Sequence, residues 1–374
     1  MTNPDVIVIG AGIVGAACAV ELQARGRQVL LLDRLGPGGG TTAAGMGHLV
    51  ALDESDDELD LCLLSLRQWD RYVAEHGHRA EHVRCGTLWV AEDEDQLLHA
   101  AARAQRLARR GWQADLLSPA QLAAAEPALR PGLAGAVRVA PDGVVYPPAV
   151  ARHLADQLAA LGGATRIDAA VARIDAGCVH LQTGQRLDAH DVVVAAGCAT
   201  TALLPDMPVF PRKGHLAITD RYPGRLRHQV VSMGYGQTAA GADGLAVAAN
   251  VQPRPTGQWL IGSCRQDGIA DAAVDPKVLA AVLRSAIALL PELARLQIIR
   301  AWTGMRPASA DGRPIVGAHP TMPRTWLAAG HEGLGVTTAF GTAQLLADLM
   351  AGQPTAIDAA PYSPARFTRE IGHD

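Results

Sequence analysis

Gly10-Ala11-Gly12-Ile13-Val14-Gly15 is the stretch whose residue types and spacing point most directly to chemistry. Gly10 permits a tight turn, Gly12 lets backbone approach a pyrophosphate, and Gly15 lets a helix pack closely on a strand. A helix starting at such a turn offers free N–H groups and the positive end of its dipole to phosphates. Asp33 is placed to accept hydrogen bonds from a ribose 2′-OH, and its charge disfavours a 2′-phosphorylated cofactor. This unit by itself admits NAD as well as FAD.

The elements needed to hold these residues occur in the required order. Asp5 to Ile9 is a short β-branched apolar run, and a helical pattern follows through Ala16, Ala17, Cys18, Ala19, Val20 and Leu22. A second apolar run, Gln28 to Leu32, ends in Asp33. The N-terminus lacks the basic region of a signal peptide and reads as a strand of the mature fold. Gly36 to Gly40 reads as a loop. The following Thr41-Thr42-Ala43-Ala44-Gly45-Met46-Gly47-His48 is so rich in small residues that its backbone is expected close against another group.

Further on, helices are expected over Glu58 to Glu75, Glu94 to Arg110 and Pro148 to Leu161, with Ser118 capping another. Cys85 to Ala91 reads as a strand, and Ala170 to Ile174 with Cys178 to Leu181 as a hairpin. The wholly apolar Asp191-Val192-Val193-Val194-Ala195-Ala196-Gly197 reads as a buried parallel strand. Strands with turns dominate from about Val209 to Ile299, ending with a helix over Asp275 to Leu289. Thr325 to Ala329 is a strand, and Gly330-His331-Glu332-Gly333-Leu334-Gly335 leads into the helix Val336 to Met350.

With 374 residues, 49% of them hydrophobic and 19% charged, the chain can hold two domains or one elaborate one. A net charge of −4 without a Lys/Arg block gives no sign of nucleic-acid binding. Lys213 and Lys277 are the only lysines. The six cysteines are scattered with no CxxC, which argues against zinc, an iron–sulfur cluster or a disulfide framework and for a reducing compartment. No stretch is long and apolar enough to span a bilayer, so a cytoplasmic protein is expected.

Five segments together resemble the FAD-dependent D-amino-acid oxidase and glycine oxidase superfamily: GAGIVG with Asp33, TTAAGMGH, DVVVAAG, WTGMRPASADGRPIVG and GHEGLGVTTAFGTAQLLADLM. They run in family order from Val6 to Met350. TTAAGMGH and GHEGLGVTTA look most like the catalytic flavoprotein subunits of D-hydroxyproline dehydrogenases and their opine-oxidase relatives. The resemblance implies an α/β fold: a glutathione-reductase-like FAD-binding Rossmann domain with an inserted antiparallel-sheet substrate domain. The expected division is 1–84, 145–208 and 301–374 for FAD, and 85–144 and 209–300 for substrate.

In that family the turn Gly10 to Gly15 and the pair Asp33 and Arg34 would serve the dinucleotide. Thr41, Thr42, Ala43, Ala44, Gly45, Met46 and Gly47, continuing to His48, would wrap the pyrophosphate and flavin ring. Val171 would contact adenine, and Ala196 and Gly197 would lie near the pyrophosphate. Gly330, His331, Gly333, Leu334, Gly335, Val336 and Thr337 would face the pyrimidine edge, where a helix N-terminus stabilises the charge of reduction. Some relatives bind flavin covalently through Cys or His; Gly304 and Thr42 occupy those positions here, so noncovalent FAD is expected.

Arg306 matches the arginine that holds the substrate carboxylate, a task suited to a planar guanidinium. Relatives often place a second basic group after the His corresponding to His331. Here Glu332, Gly333 and Leu334 follow, leaving Arg265 as the candidate to compensate. His48 and His331 are the polar side chains nearest the inferred ring, and Tyr235 is a candidate lid residue. Met46 reads as wall, and no residue is assigned as a catalytic base.

The resemblance implies oxidation of a C–N bond beside a carboxylate, foremost in cis-4-hydroxy-D-proline. Electrons would pass to a partner protein or quinone, which could hold the chain peripherally at the inner membrane. The alternatives are a glycine, sarcosine, D-amino-acid or opine oxidase producing hydrogen peroxide, and an electron-transfer subunit of a hetero-oligomer. Whether the chain forms a homo- or hetero-oligomer is left open.

Overall fold

Val6–Ile9 is four aliphatic residues long and almost wholly buried, which requires covering layers on both faces of its sheet. A computed structural model describes residues 3–51, 55–235 and 245–367, and this strand lies inside a six-stranded sheet. The order is Ile315–Ala318, Thr325–Ala329, Asp191–Val194, Val6–Ile9, Val29–Leu32, Ala164–Arg166. Every neighbouring pair is parallel except the first, whose two strands are antiparallel. Asp191–Val194 is buried along its length, as its apolar run requires.

Helix Ile13–Ala24 packs between Pro147–Ala160 and Gly335–Met350, and Asp56–His76 packs on Gly335–Met350 in turn. Ser55 caps the long helix by accepting from the Glu58 N–H, so it starts just before the expected Glu58. Its Trp69 indole donates to the carbonyls of Val336 and Thr337, both at 3.1 Å. The expected hairpin at 170–181 gains a third strand, Arg186–Asp188. One apolar residue, Leu187, between charged neighbours gives no alternation to read.

The second sheet has eight strands in the order Ile298–Ser309, Val209–Arg221, Gln258–Asp267, Leu245–Pro253, Gln229–Ser232, Thr87–Ala91, Gly135–Val139, Asp115–Leu117. All its pairs are antiparallel except Gln229–Ser232 with Thr87–Ala91. Helix Pro276–Leu289, capped by Asp275, covers three of its strands. Strand Ile298–Ser309 runs in this sheet. We propose that sheet membership marks the domain division, with the last boundary near 309 instead of 300. Among the described residues, no helix is long and apolar enough to cross a membrane.

Candidate functional site

The N-terminal turn is held by steric limits on its glycines. Gly10 has φ +105°, and a Cβ there would lie 2.4 Å from the Ala195 carbonyl oxygen. A Cβ on Gly15 would lie 1.9 Å from the Gly10 carbonyl oxygen. Gly12 leaves the helix start open: the nearest atom to its missing side chain is Thr42 Oγ1 at 3.1 Å. That hydroxyl accepts from the Ile13 N–H. The second helix start lies close by, since a Cβ on Gly335 would sit 3.5 Å from Val14. Neither helix carries an acid in its first turn. Space is open beside Gly40 and Gly197, both at positive φ. Two converging helix N-termini with no acid in their first turns fit an anionic dinucleotide.

Asp33 has work that its position in the motif did not reveal. Its carboxylate accepts from the N–H groups of Ala11 (2.7 Å), Leu35 (2.7 Å) and Gly36 (2.9 Å), tying the turn to the following loop. A carboxylate has about four acceptor sites, so capacity for a sugar hydroxyl remains. Arg34 is exposed, and Val171 and Ala196 are half-buried.

Thr41–Ala44 forms one helical turn pressed against the larger sheet. Thr41 Oγ1 donates to the Met305 carbonyl at 2.7 Å, and the Trp302 indole donates to the Ala44 carbonyl at 3.2 Å. A Cβ on Gly304 would meet the Ala44 methyl at 2.8 Å. Gly45 follows the turn. A Cβ on Gly47 (φ +84°) would lie 2.1 Å from the Val145 carbonyl oxygen. Met46 packs with Leu216 and Leu260, a wall residue as its type suggests.

The paired strands Val209–Arg221 and Ile298–Ser309 sort their side chains by alternation. In register, Arg212 stands opposite Arg306, Gly214 opposite Gly304 and Leu216 opposite Trp302, on the face that meets Thr41–Ala44. Lys213 and His215 point the other way. Lys213 Nζ pairs with Asp271 at 2.9 Å, and His215 Nε2 accepts from the Asp275 N–H.

On the first face a cavity of about 220 Å³ opens, lined in part by His48, Trp89, Asn250, His331, Glu332 and Gly333. Arg306 lies at its edge, its Cδ and Nε 3.6 Å from the Cβ position of Gly333. The guanidinium donates to Cys264 O (2.9 Å) and Ser263 Oγ (3.0 Å), and no carboxylate among the described residues pairs with it. Arg265, expected to help bind substrate, lines the cavity and is paired there with Glu332 at 3.1 Å. The same Glu332 oxygen lies 3.1 Å from Arg212, whose guanidinium is also bound by Asp267.

Burial pushes the His48 imidazole down to about 4, helped by the nearby Arg306 and Arg254 charges and opposed by its bond to Gln229. The ring is therefore neutral at physiological pH. Its Nδ1 lies 2.7 Å from Gln229 Oε1, and its Nε2 lies 3.3 Å from Asn250 Nδ2. Burial alone pushes His331 down to about 4; its Nε2 meets Thr342 Oγ1 at 3.0 Å. Thr337 donates to the His48 carbonyl, joining the second helix start to this wall. Gly330 has φ +72°, and Leu334 and Val336 flank Gly335 at that helix start. Tyr235 closes a short turn, Met233–Tyr235, and its side chain lies outside the described residues.

A family model described as FAD dependent oxidoreductase matches residues 5–349. The chain belongs to this family. It is 28% identical to glycine oxidase of Geobacillus kaustophilus, covering 98% of each chain. It is 30% identical to D-amino acid dehydrogenase 2 of Ralstonia nicotianae, over 97% of this chain and 100% of that one. The crystal structure of the Geobacillus glycine oxidase superposes with a TM-score of 0.88 at 26% identity, covering 98% of this chain and 99% of the other. FAD is thus the cofactor of this family member, and NAD is set aside.

Gln229, Gln252, Asn250, Arg212 and Asp142 gave no signal in the sequence. Each sits on a strand or loop far from any motif, and only the fold places it at or behind the cavity wall.

Proposed function

We propose that the chain is an FAD-dependent amino-acid dehydrogenase that oxidises the C–N bond of a cyclic D-imino acid, cis-4-hydroxy-D-proline foremost. The observation that carries this reading is Arg306, a guanidinium without a carboxylate partner among the described residues, at the edge of a partly open cavity where the charges of Arg212 and Arg265 are paired with Glu332. It suits one substrate carboxylate held by two parallel N–H bonds. The charges of Arg212 and Arg265 are engaged by Glu332 and Asp267, so a second carboxylate has no comparable site.

FAD, when bound, accepts the two electrons and the hydrogen that leave the substrate α-carbon. The protein's part is to fix the carboxylate at Arg306, exclude water, and keep His48 as a neutral hydrogen-bonding group. The substrate enters as a neutral amine whose lone pair forms the new C=N bond, so no side-chain base is required. Gly304 against Ala44, and Thr42 engaged with Ile13, support noncovalent FAD.

Acceptance of electrons by a partner protein or quinone is supported by the lysines. Lys213 is tied to Asp271 on the face away from Arg306, and Lys277 is exposed on a helix, so neither offers a cation to activate oxygen. The second reading, a glycine or D-amino-acid oxidase, draws on the relatives' activities. An anaerobic screen of D- and L-amino and imino acids against the purified flavoprotein decides. Bleaching by cis-4-hydroxy-D-proline with slow peroxide release in air is expected; fast peroxide formation with glycine would replace this reading.

A further inference from the structure

A buried chain of polar groups runs behind the cavity wall, and its directions can be read without knowing any hydrogen position. Gln229 Nε2 lies 2.9 Å from the Gly143 carbonyl oxygen, which can only accept. This fixes the amide, whose two ends are otherwise interchangeable. Oε1 must then face His48, and at 2.7 Å it accepts, so the imidazole proton is on Nδ1. Gln252 Nε2, 3.2 Å from the same Nδ1, is thereby excluded as a donor to it. The remaining Gln229 N–H points at Thr87 Oγ1, 3.2 Å away, which leaves the Thr87 proton for the buried carboxylate of Asp142.

The consequence appears on the cavity side. With its proton on Nδ1, His48 presents a bare Nε2, which accepts from Asn250 Nδ2 at 3.3 Å. Asn250 cannot turn over, since two acceptors would then face each other. Its Oδ1 is left without a partner among the described residues, in a side chain only 7% exposed that lines the cavity. A buried acceptor left unpaired carries the cost of its lost hydration with no bond to offset it.

We infer that Asp142, Thr87, Gln229 and His48 hold Asn250 so that its Oδ1 receives a hydrogen bond from a hydroxyl on the substrate ring. Asn250 is the specificity-determining residue, and the other four are positioning residues. This rests on the cyclic imino-acid reading above. The ring N–H is a donor too, and donating it leaves the lone pair free, but it is common to hydroxylated and plain rings; the hydroxyl is the donor that distinguishes the hydroxylated substrate.

The test compares kcat/KM for cis-4-hydroxy-D-proline with that for D-proline in the holoenzyme. The wild type should favour the hydroxylated ring by about tenfold or more, because a polar site rejects an analogue that leaves it unpaired. Asn250→Leu should bring the ratio near one, whatever loss is common to both substrates. Gln229→Leu, which frees the His48 tautomer, should lower the ratio, and Gln229→Glu, which can still accept from His48, should restore part of it. Binding is measured separately by flavin absorbance, with cyclopentanecarboxylate and cis-3-hydroxycyclopentanecarboxylate, which have no C–N bond to oxidise. The hydroxylated probe should bind more tightly to wild type and lose that advantage in Asn250→Leu. An unchanged ratio in Asn250→Leu, or equal binding of the two probes to wild type, overturns the inference. If no amine is oxidised but the probes discriminate as described, the functional reading fails and the hydroxyl site stands.

Discussion

The cofactor groove and the substrate cavity lie side by side but are built from different material. The groove is backbone: two helix starts, glycines at positive φ, and carbonyl oxygens so close that a methyl group would not fit. The cavity is side chains, and what matters there is which charges are already paired and which polar atoms are not. Backbone geometry tolerates almost no substitution, whereas the cavity can be rebuilt by exchanging hydrogen-bond donors, acceptors and ions.

The largest expected effect is in the groove. Gly15→Val places side-chain atoms inside the Gly10 carbonyl and should yield protein with little or no bound flavin, read from absorbance after gel filtration. Retention of a full flavin complement would break the contrast between the two regions. Next is Arg306→Leu, which should lower kcat/KM for carboxylated amines by roughly a thousandfold, a transition-state loss of about 4 kcal/mol. Arg306→Lys should be nearly as damaging, because an ammonium lacks the planar fork.

Stability against pH gives a middle-sized effect. Burial favours neutral His48 and His331, so the unfolded chain binds more protons between pH 6.5 and about 4, and stability is lost as pH falls through that window. Each contributes on the order of 3 kcal/mol. Asp142 acts in the opposite sense: burial raises its carboxyl to about 7, so its contribution is lost as pH rises towards 7. Urea titrations from pH 4 to 7 should show a flatter acid loss in His331→Asn and a steeper one in Asp142→Asn.

The smallest effect sharpens the cavity side. Glu332→Gln removes the anion shared by Arg212 and Arg265 and should lower KM for dicarboxylic amines about tenfold, with flavin content unchanged. A fall in KM for monocarboxylic substrates alone would show that the pair does not govern the second-carboxylate preference.

Much of the fold was legible because its signals are local. GAGIVG between two apolar runs, the buried DVVVAAG strand and the caps at Ser118 and Asp275 each state their structure within a few residues. Strand boundaries and the third strand at Arg186–Asp188 were not, since short polar strands carry no periodicity. Arg306, His48 and His331 were named from their motifs and do lie at or beside the cavity. The pairing of Arg265 with Glu332 was hidden, because the two lie far apart in the chain and only the fold brings them together.

The amino-acid sequence by itself determined the phosphate-binding turn, the family and the cofactor, because steric demands on glycine and the start of a helix are set by near neighbours in the chain. Only the tertiary structure decided which arginine stays unpaired and which face of the strand carries Lys213. It also decided that Asn250 ends a chain begun at Asp142. Charge pairing and hydrogen-bond direction depend on atoms brought within about 3 Å from segments far apart in the chain, and no spacing along the chain encodes that.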